Sequence, residues 1–216
     1  MHIKWAKLSD RRLRRILRCF CQDLTATQTA NIAGINRNTV NRYYQLLRER
    51  IASYQESTNL EFRGSVELDE SYFGGKNKGR RGRGTAKIPV FGILKRDGRV
   101  YTQIIRNASP REIRPIVRRF VRRGSTIYTD GWTAYDGLVL NGYHHYRINH
   151  GEQCYSNRRG THINGIESFW AFAKRRLLKF SGIQPQRFYL HLKECEFRYN
   201  NRDNLYRKML KILTIS

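Results

Sequence analysis

The sequence predicts an α/β protein with a five-stranded mixed sheet flanked by helices, preceded by an all-α helix-turn-helix domain. Three observations predict it. Apolar residues recur at helical spacing from residue 9 to Ile51, interrupted by Gly34. The pattern then turns polar around residues 52–64. From residue 65 onward, short β-branched and aromatic runs alternate with helical stretches in the order β-β-β-α-β-α-β-α-α.

Residues 9–23 form the first expected helix, with Ser9 as N-cap and Leu13, Ile16, Leu17 and Phe20 on one face. Thr25 to Tyr44 follows a helix-turn-helix pattern. Ala30 is small where the helices cross, Gly34 supplies the positive-φ turn, and Ile35 and Val40 pack the second helix back. That second helix continues through Leu46, Leu47 and Ile51. Val66 to Phe73 reads as a strand, followed by a Gly- and Arg-rich loop from Gly74 to Gly84. Ile88–Leu94 and Arg99–Arg106 are the next strands, joined through Asp97-Gly98, a hairpin dipeptide. Ser109-Pro110-Arg111-Glu112 provides an N-cap, a Pro in the first helical position and a capping-box Glu. This helix is expected to reach Arg123 and stop at Gly124. A strand over Ser125–Thr129, a short helix from Thr133 and a strand over His144–Ile148 follow. Helices over Ile163–Phe180 and Gln186–Tyr199 close the pattern. A three-stranded meander, then a helix and two more strands, is the order of the RNase H-like fold. The strand order in space is taken from that fold by analogy. The expected organisation is a helix-turn-helix domain over 1–54, a linker over 55–64, an RNase H-like core over 65–182 and a C-terminal helical extension over 183–216.

The 216 residues carry 42 Lys+Arg against 17 Asp+Glu, a formal net charge of +25. Such an excess repels itself on compaction and favours a polyanionic partner. Nucleic acid is the first reading and an anionic membrane surface the second. The cations are spread along the chain rather than gathered on one amphipathic helix, which favours nucleic acid. No apolar run approaches the roughly 20 residues of a membrane span, and the first residues have no signal-peptide core. Cys19, Cys21, Cys154 and Cys195 form no C-x-x-C pair and no disulfide framework. A reduced, cytoplasmic and nucleoid-associated location is expected.

Against that cationic background three carboxylates stand at structured positions. Asp69 lies mid-strand, Asp130 ends the fourth strand beside Gly131, and Glu167 falls in the first turns of a late helix. Phosphodiesters resist attack because they are anionic. Two divalent ions about 3.5–4 Å apart can activate the attacking oxygen and stabilise the leaving one. Carboxylate oxygens suit Mg²⁺ or Mn²⁺, so two such ions held by Asp69, Asp130 and Glu167 are expected. Arg37, Asn38, Thr39, Asn41 and Arg42 begin the second helix of the helix-turn-helix and are the candidates for groove contacts with double-stranded DNA. Lys76, Lys78, Arg80, Arg81 and Arg83 of the Gly/Arg loop are read as a phosphate clamp, pliable through its glycines; a plain linker is the alternative.

Three blocks carry a family resemblance. They are Leu68-Asp69-Glu70-Ser71-Tyr72-Phe73-Gly74-Gly75-Lys76, Thr129-Asp130-Gly131-Trp132-Thr133-Ala134-Tyr135, and His162-Ile163-Asn164-Gly165-Ile166-Glu167-Ser168-Phe169-Trp170 with Lys174. In this order and spacing the chain resembles prokaryotic insertion-sequence transposases of the DDE type. It is especially similar to the compact family related to the Merlin transposases. The resemblance covers essentially residues 7–210. It implies that Asp69, Asp130 and Glu167 are catalytic, and that Lys174 is the Lys extending DDE to DDEK and a contact to DNA. It implies binding of transposon ends and target DNA, strand cleavage and strand transfer, and a homodimer or larger assembly on DNA. Some relatives carry an N-terminal zinc ribbon. This sequence shows no such ligand pattern, which leaves end recognition to the helix-turn-helix.

Each residue also has a plainer reading. Asp69 could be a solvated strand acid, Glu167 a first-turn acid favoured by the helix dipole, and Lys174 part of a basic face with Arg175 and Arg176. Asn164 is as well suited to capping as to contacting the site. Phe169, Trp170 and Phe172 read as core. His150, Cys154 and His162 match no common zinc spacing. Two other functions share many of these features: a structure-selective RNase H-like nuclease, and a non-catalytic helix-turn-helix regulator.

Overall fold

The computed structural model describes residues 8–58, 60–74, 87–96, 98–130, 142–148, 163–180 and 182–214. The chain divides into two compact units, residues 59–183 and residues 1–58 together with 184–216.

The first unit is built on a sheet ordered β3-β2-β1-β4-β5. Its strands are β1 (Ser65–Phe73), β2 (Ile88–Lys95), β3 (Val100–Ile104), β4 (Thr126–Asp130) and β5 (His144–Ile148). The β1–β2 and β2–β3 pairs are antiparallel, whereas β1–β4 and β4–β5 are parallel. This is the spatial order of the RNase H-like fold expected from the sequence. Parallel neighbours need a crossover, and α4 (Pro110–Phe120) stands between β3 and β4 in the chain. Ile113, Ile116 and Val117 of α4 share a buried cluster with Val66, Leu68, Phe91, Ile93 and Ile127 of the sheet. The alternate residues of β1, Glu67 and Asp69, point to the opposite face. There α5 (Asn164–Leu178) packs on β1 and β2.

Several boundaries differ from expectation. α4 ends at Phe120, before Arg123, because Val121 becomes extended and bridges to Phe62. The Phe62 N–H donates to the Phe120 carbonyl at 2.7 Å, and the Arg122 N–H to the Phe62 carbonyl at 2.9 Å. The Ser109 side chain makes no capping bond, and Glu112 instead accepts from the Arg106 backbone N–H at 3.5 Å. The first residues of the expected linker, up to Ser57, are the last turn of a helix. The expected short helix from Thr133, most of the Gly/Arg loop, and His150, Cys154 and His162 lie outside the described residues.

The second unit holds α1 (Asp10–Cys21), α2 (Ala26–Ala33), α3 (Arg37–Ser57), α6 (Pro185–Asn200) and α7 (Leu205–Thr214). α1 closes near Cys21, short of residue 23, as Asp23 takes φ 60°. Thr25 starts α2 with a full capping box, its hydroxyl bonded to the Gln28 N–H and the Gln28 side chain returning to the Thr25 N–H. Gly34 takes the left-handed turn expected of it, φ 62°. Asn36 caps α3 through the Asn38 N–H at 2.8 Å.

The expected separate extension over 183–216 is part of this helical unit. Phe197 of α6 and Met209, Ile212 and Leu213 of α7 share one buried cluster with Leu13, Ile16, Leu17, Phe20, Val40, Leu47 and Ile51. The second helix of the extension, α7, had no separate place in the element order expected. α6 is buried despite its charge because its ions are paired inside. Glu194 accepts from Arg48 at 2.8 Å and from Arg198 at 2.9 Å, while Lys193 binds Glu196 at 2.8 Å. Arg198 also donates to the Phe20 and Cys21 carbonyls at the C-terminal end of α1, where carbonyls otherwise lack helical partners.

Candidate active site

Asp69 sits in the middle of β1, opposite Gly92 of β2. Asp130 is the last residue of β4. The parallel register pairs Glu67 with Tyr128. Asp69 and Asp130 are each two residues further along, so they fall side by side on one face of the sheet. Their charges feel one another. Burial drives the Asp69 carboxyl up to about 7, and the neighbouring acids Glu70 and Asp130 push it in the same direction. Two hydrogen bonds act the other way, from the Glu70 backbone and from the Trp170 side chain. In the second, the Trp170 indole N–H donates to Asp69 Oδ2 at 3.0 Å.

Trp170 is held close by the absence of side chains beneath it. A Cβ at Gly92 would come within 2.5 Å of Trp170 Cζ2 and 2.9 Å of Ile166 Cδ1. The N-terminal end of α5 is fixed in a second way. Glu67, 1% exposed, accepts the Ile166 backbone N–H on Oε2 at 2.9 Å and Arg96 Nε on Oε1 at 3.1 Å. A carboxylate from β1 thus satisfies an orphan N–H in the first turn of α5 and complements the helix dipole there. Gly165 makes room for it, since a Cβ there would lie 2.9 Å from Glu67 Oε2.

Glu167 lies in that first turn and is exposed. Lys174, also exposed, reaches toward Asp69 along α5, its Nζ 5.8 Å from the Phe73 ring centre. Burial holds its amine below the usual lysine range, opposed by the Asp69 charge and reinforced by Lys87. The structure therefore brings Asp69, Asp130 and Lys174 together. Among the described residues no three His, Cys, Asp or Glu side chains form a group able to hold a metal ion. In the helical unit Arg37, Asn38, Asn41 and Arg42 are exposed and Thr39 is half-buried, all in the first two turns of α3. Lys76, Lys78, Arg80, Arg81 and Arg83 lie outside the described residues.

Sequence reasoning missed Glu67, Arg96 and the two glycines, and read Trp170 as core only. The spacing of Glu67 two residues before Asp69, on the same strand face, was the available signal. Trp170 is indeed buried, 4% exposed, yet its one polar atom is spent on Asp69.

A central strand carrying one acid, flanked by a parallel strand ending in another, defines this unit as an RNase H-like α/β core. The chain belongs to the ISXO2-like transposase domain family, whose model matches residues 61–200. It is 43% identical over 105 residues to an uncharacterized transposase-like protein of Haemophilus influenzae, a match covering 49% of this chain and 84% of that one. It is 31% identical over 153 residues to an uncharacterized protein in transposable element ISH50 of Halobacterium salinarum, covering 62% of this chain and about half, 52%, of the relative. Among solved structures, the catalytic core domain of BIV integrase overlaps 68% of this chain and 93% of that chain, with a TM-score of 0.39 and 13% identity. The Mos1 mariner paired end complex with Mn overlaps 99% of this chain and 79% of that chain, with a TM-score of 0.37 and 11% identity. No described helix is long and apolar enough to cross a membrane.

Proposed function

We propose that this chain binds the terminal repeats of an insertion sequence, cleaves DNA strands at those ends and joins them to target DNA. The observation that carries the reading is the Asp69–Asp130 pair, with α5 seated over β1 by Glu67 and Trp170. The donor set suits a hard divalent cation: two carboxylates forced together, one of them raised to about 7. Asp69 and Asp130 would hold Mg²⁺ or Mn²⁺, with Glu167 as third ligand from the first turn of α5. Two such ions, when bound, supply activation of the attacking oxygen and stabilisation of the leaving oxygen. The protein's own residues do the positioning. Trp170 fixes the rotamer of Asp69, Glu67 anchors the helix that carries Glu167, and Lys174 offers a cation to a nearby phosphate. Arg37, Asn38, Thr39, Asn41 and Arg42 stand at the start of α3, where a recognition helix meets base edges. The net charge of +25 supplies sequence-independent attraction to phosphates. Lys76, Lys78, Arg80, Arg81 and Arg83 add to it. Handling two ends in one reaction calls for a homodimer or larger assembly on DNA.

The test is nicking of a terminal-repeat duplex in Mg²⁺ beside a gel-shift. Asp69→Asn, Asp130→Asn and Glu167→Gln should each abolish nicking and joining while leaving DNA binding nearly intact. Near-normal nicking by any one variant removes that residue from the site. Specific binding by the wild-type chain with no cleavage would favour the regulator, and cleavage without preference for the repeat would favour the nuclease.

A further inference from the structure

Among the described residues, α5 covers only part of the sheet face that bears Asp69 and Asp130. α5 packs on β1 and β2, whereas β4 and the edge strand β5 lie beyond it. Tyr128 and Tyr146 are register partners there, one residue on each strand. Tyr128 lies two residues before Asp130, on the same face.

The two rings are stacked, with centroids 5.6 Å apart and planes 19° from parallel. The Arg96 guanidinium carbon lies 3.7 Å from the centre of the Tyr128 ring. Arg96 is itself fixed by the buried Glu67 carboxylate. A cation and two aromatic rings therefore form a pre-ordered row running from the anchor of α5 toward the sheet edge. The row ends on Tyr146, which is 53% exposed and, among the described residues, one of the few large apolar side chains left in solvent.

Such an array offers a planar partner a ready stacking surface. A half-exposed ring gives up apolar burial, and an edge strand is normally protected by charge or a covering element. In a chain with net charge +25, the planar partner of matching chemistry is a nucleobase. Stacking on an aromatic face tolerates any base, and Arg adds a cation–π contribution. A base inside a duplex has both faces occupied by its neighbours. Away from a duplex terminus, only an unpaired base can offer one to Tyr146.

We infer that Tyr146, backed by Tyr128 and Arg96, is a stacking platform for an unpaired nucleobase of a DNA strand whose phosphate lies at the Asp69–Asp130 pair. The inference rests on the function proposed above and adds the state of the substrate: the strand end is locally unpaired next to the scissile position. No bond is made or broken at the platform.

The experiment uses the full chain without divalent metal and two fluorescently labelled terminal-repeat oligonucleotides, one blunt and one with three unpaired bases at the end. Binding is read by anisotropy. Quenching of a 2-aminopurine placed in the unpaired stretch reports stacking. The wild-type chain should prefer the unpaired end. Tyr146→Ala should lose on the order of tenfold in affinity for it, with the 2-aminopurine signal restored, and should bind the blunt duplex as before. Tyr146→Phe should keep both properties, because the ring and not the hydroxyl does the stacking. Equal losses on blunt and unpaired DNA, or a Phe variant as weak as the Ala variant, would overturn the platform. A shift in oligomeric state on Tyr146→Ala with no change in unpaired-end binding would assign the ring to a contact between chains, and would also overturn it. Failure of the wild-type chain to bind any DNA would sink the transposase reading itself, an outcome distinct from all of these.

Discussion

Asp69 behaves differently from an ordinary surface aspartate, and its setting has a measurable sign. Its folded-state value, about 7, stands above the 3.8 of an unhindered carboxyl, chiefly through burial and then through Glu70 and Asp130. Burial holds the nearby Lys174 amine below its usual range, and the Asp69 charge works against that shift. A carboxyl with a raised native value binds more protons folded than unfolded. Without metal, this residue therefore costs stability as pH rises from about 4 to about 7. Thermal melts of wild type and Asp69→Asn at pH 5 and pH 8 should show the variant gaining relative to wild type at the higher pH. Added Mg²⁺ should raise the wild-type Tm more at pH 8 than at pH 5 and leave the variant nearly unmoved. A metal response independent of pH would mean that Asp69 is not where the ion sits. At this scale the sequence was informative about which acids to watch, because carboxylates are rare here and their flanks are apolar. It was silent about Arg96 and Gly92, and offered only the two-residue spacing from Asp69 for Glu67. Their meaning depends on what α5 lays across them, and those partners lie far away in the chain.

Among the elements, the β-strands and their faces were legible, whereas the burial of one helix was not. Alternation in β1, β2 and β4 fixes which side chains meet α4 and which meet α5. The strand order in space came by analogy with the RNase H-like fold, and the observed sheet has that order. α6 is the counterexample. Its run Lys193-Glu194-Cys195-Glu196-Phe197-Arg198 looks like a solvated helix, yet every one of these residues is buried. Arg48 of α3 neutralises Glu194 and Gln55 of α3 donates to Glu196, and no local pattern announces partners that distant. Buried ion pairs add little over apolar packing, but removing one member leaves the other charge stranded. Glu194→Ala would remove the buried carboxylate that Arg48 and Arg198 share, and should cost about 3–5 kcal/mol in urea unfolding of the helical unit. Replacing the exposed Glu49 with Ala should cost less than about 0.5 kcal/mol by the same measurement. Comparable effects at the two positions would mean that α6 is solvated after all.

At the scale of the whole molecule, the helical unit is assembled from both ends of the sequence, with the sheet unit inserted between them. This changes what a deletion does. Removing residues 1–54 would strip α6 and α7 of the apolar surface they share with α1 and α3. Such a fragment should aggregate or bind hydrophobic dyes. The fragment 59–183 cuts at the observed division and should stay monodisperse. It should bind repeat and scrambled duplexes alike, since phosphate contacts carry no sequence information. Competition binding and light scattering check both outcomes. A 59–183 fragment that still prefers the repeat would move recognition out of the helical unit. There is also a consequence in time. A ribosome releases residues 59–183 before it has made α6 and α7, so the acids can be in place while the unit bearing Arg37 and Arg42 still lacks its closing helices. A stop codon shortly after residue 183 would thus yield a polypeptide with a complete sheet and no finished reader. Under the proposed function, such a short product would compete for phosphates without discriminating between sites and act as a brake on its own full-length sibling.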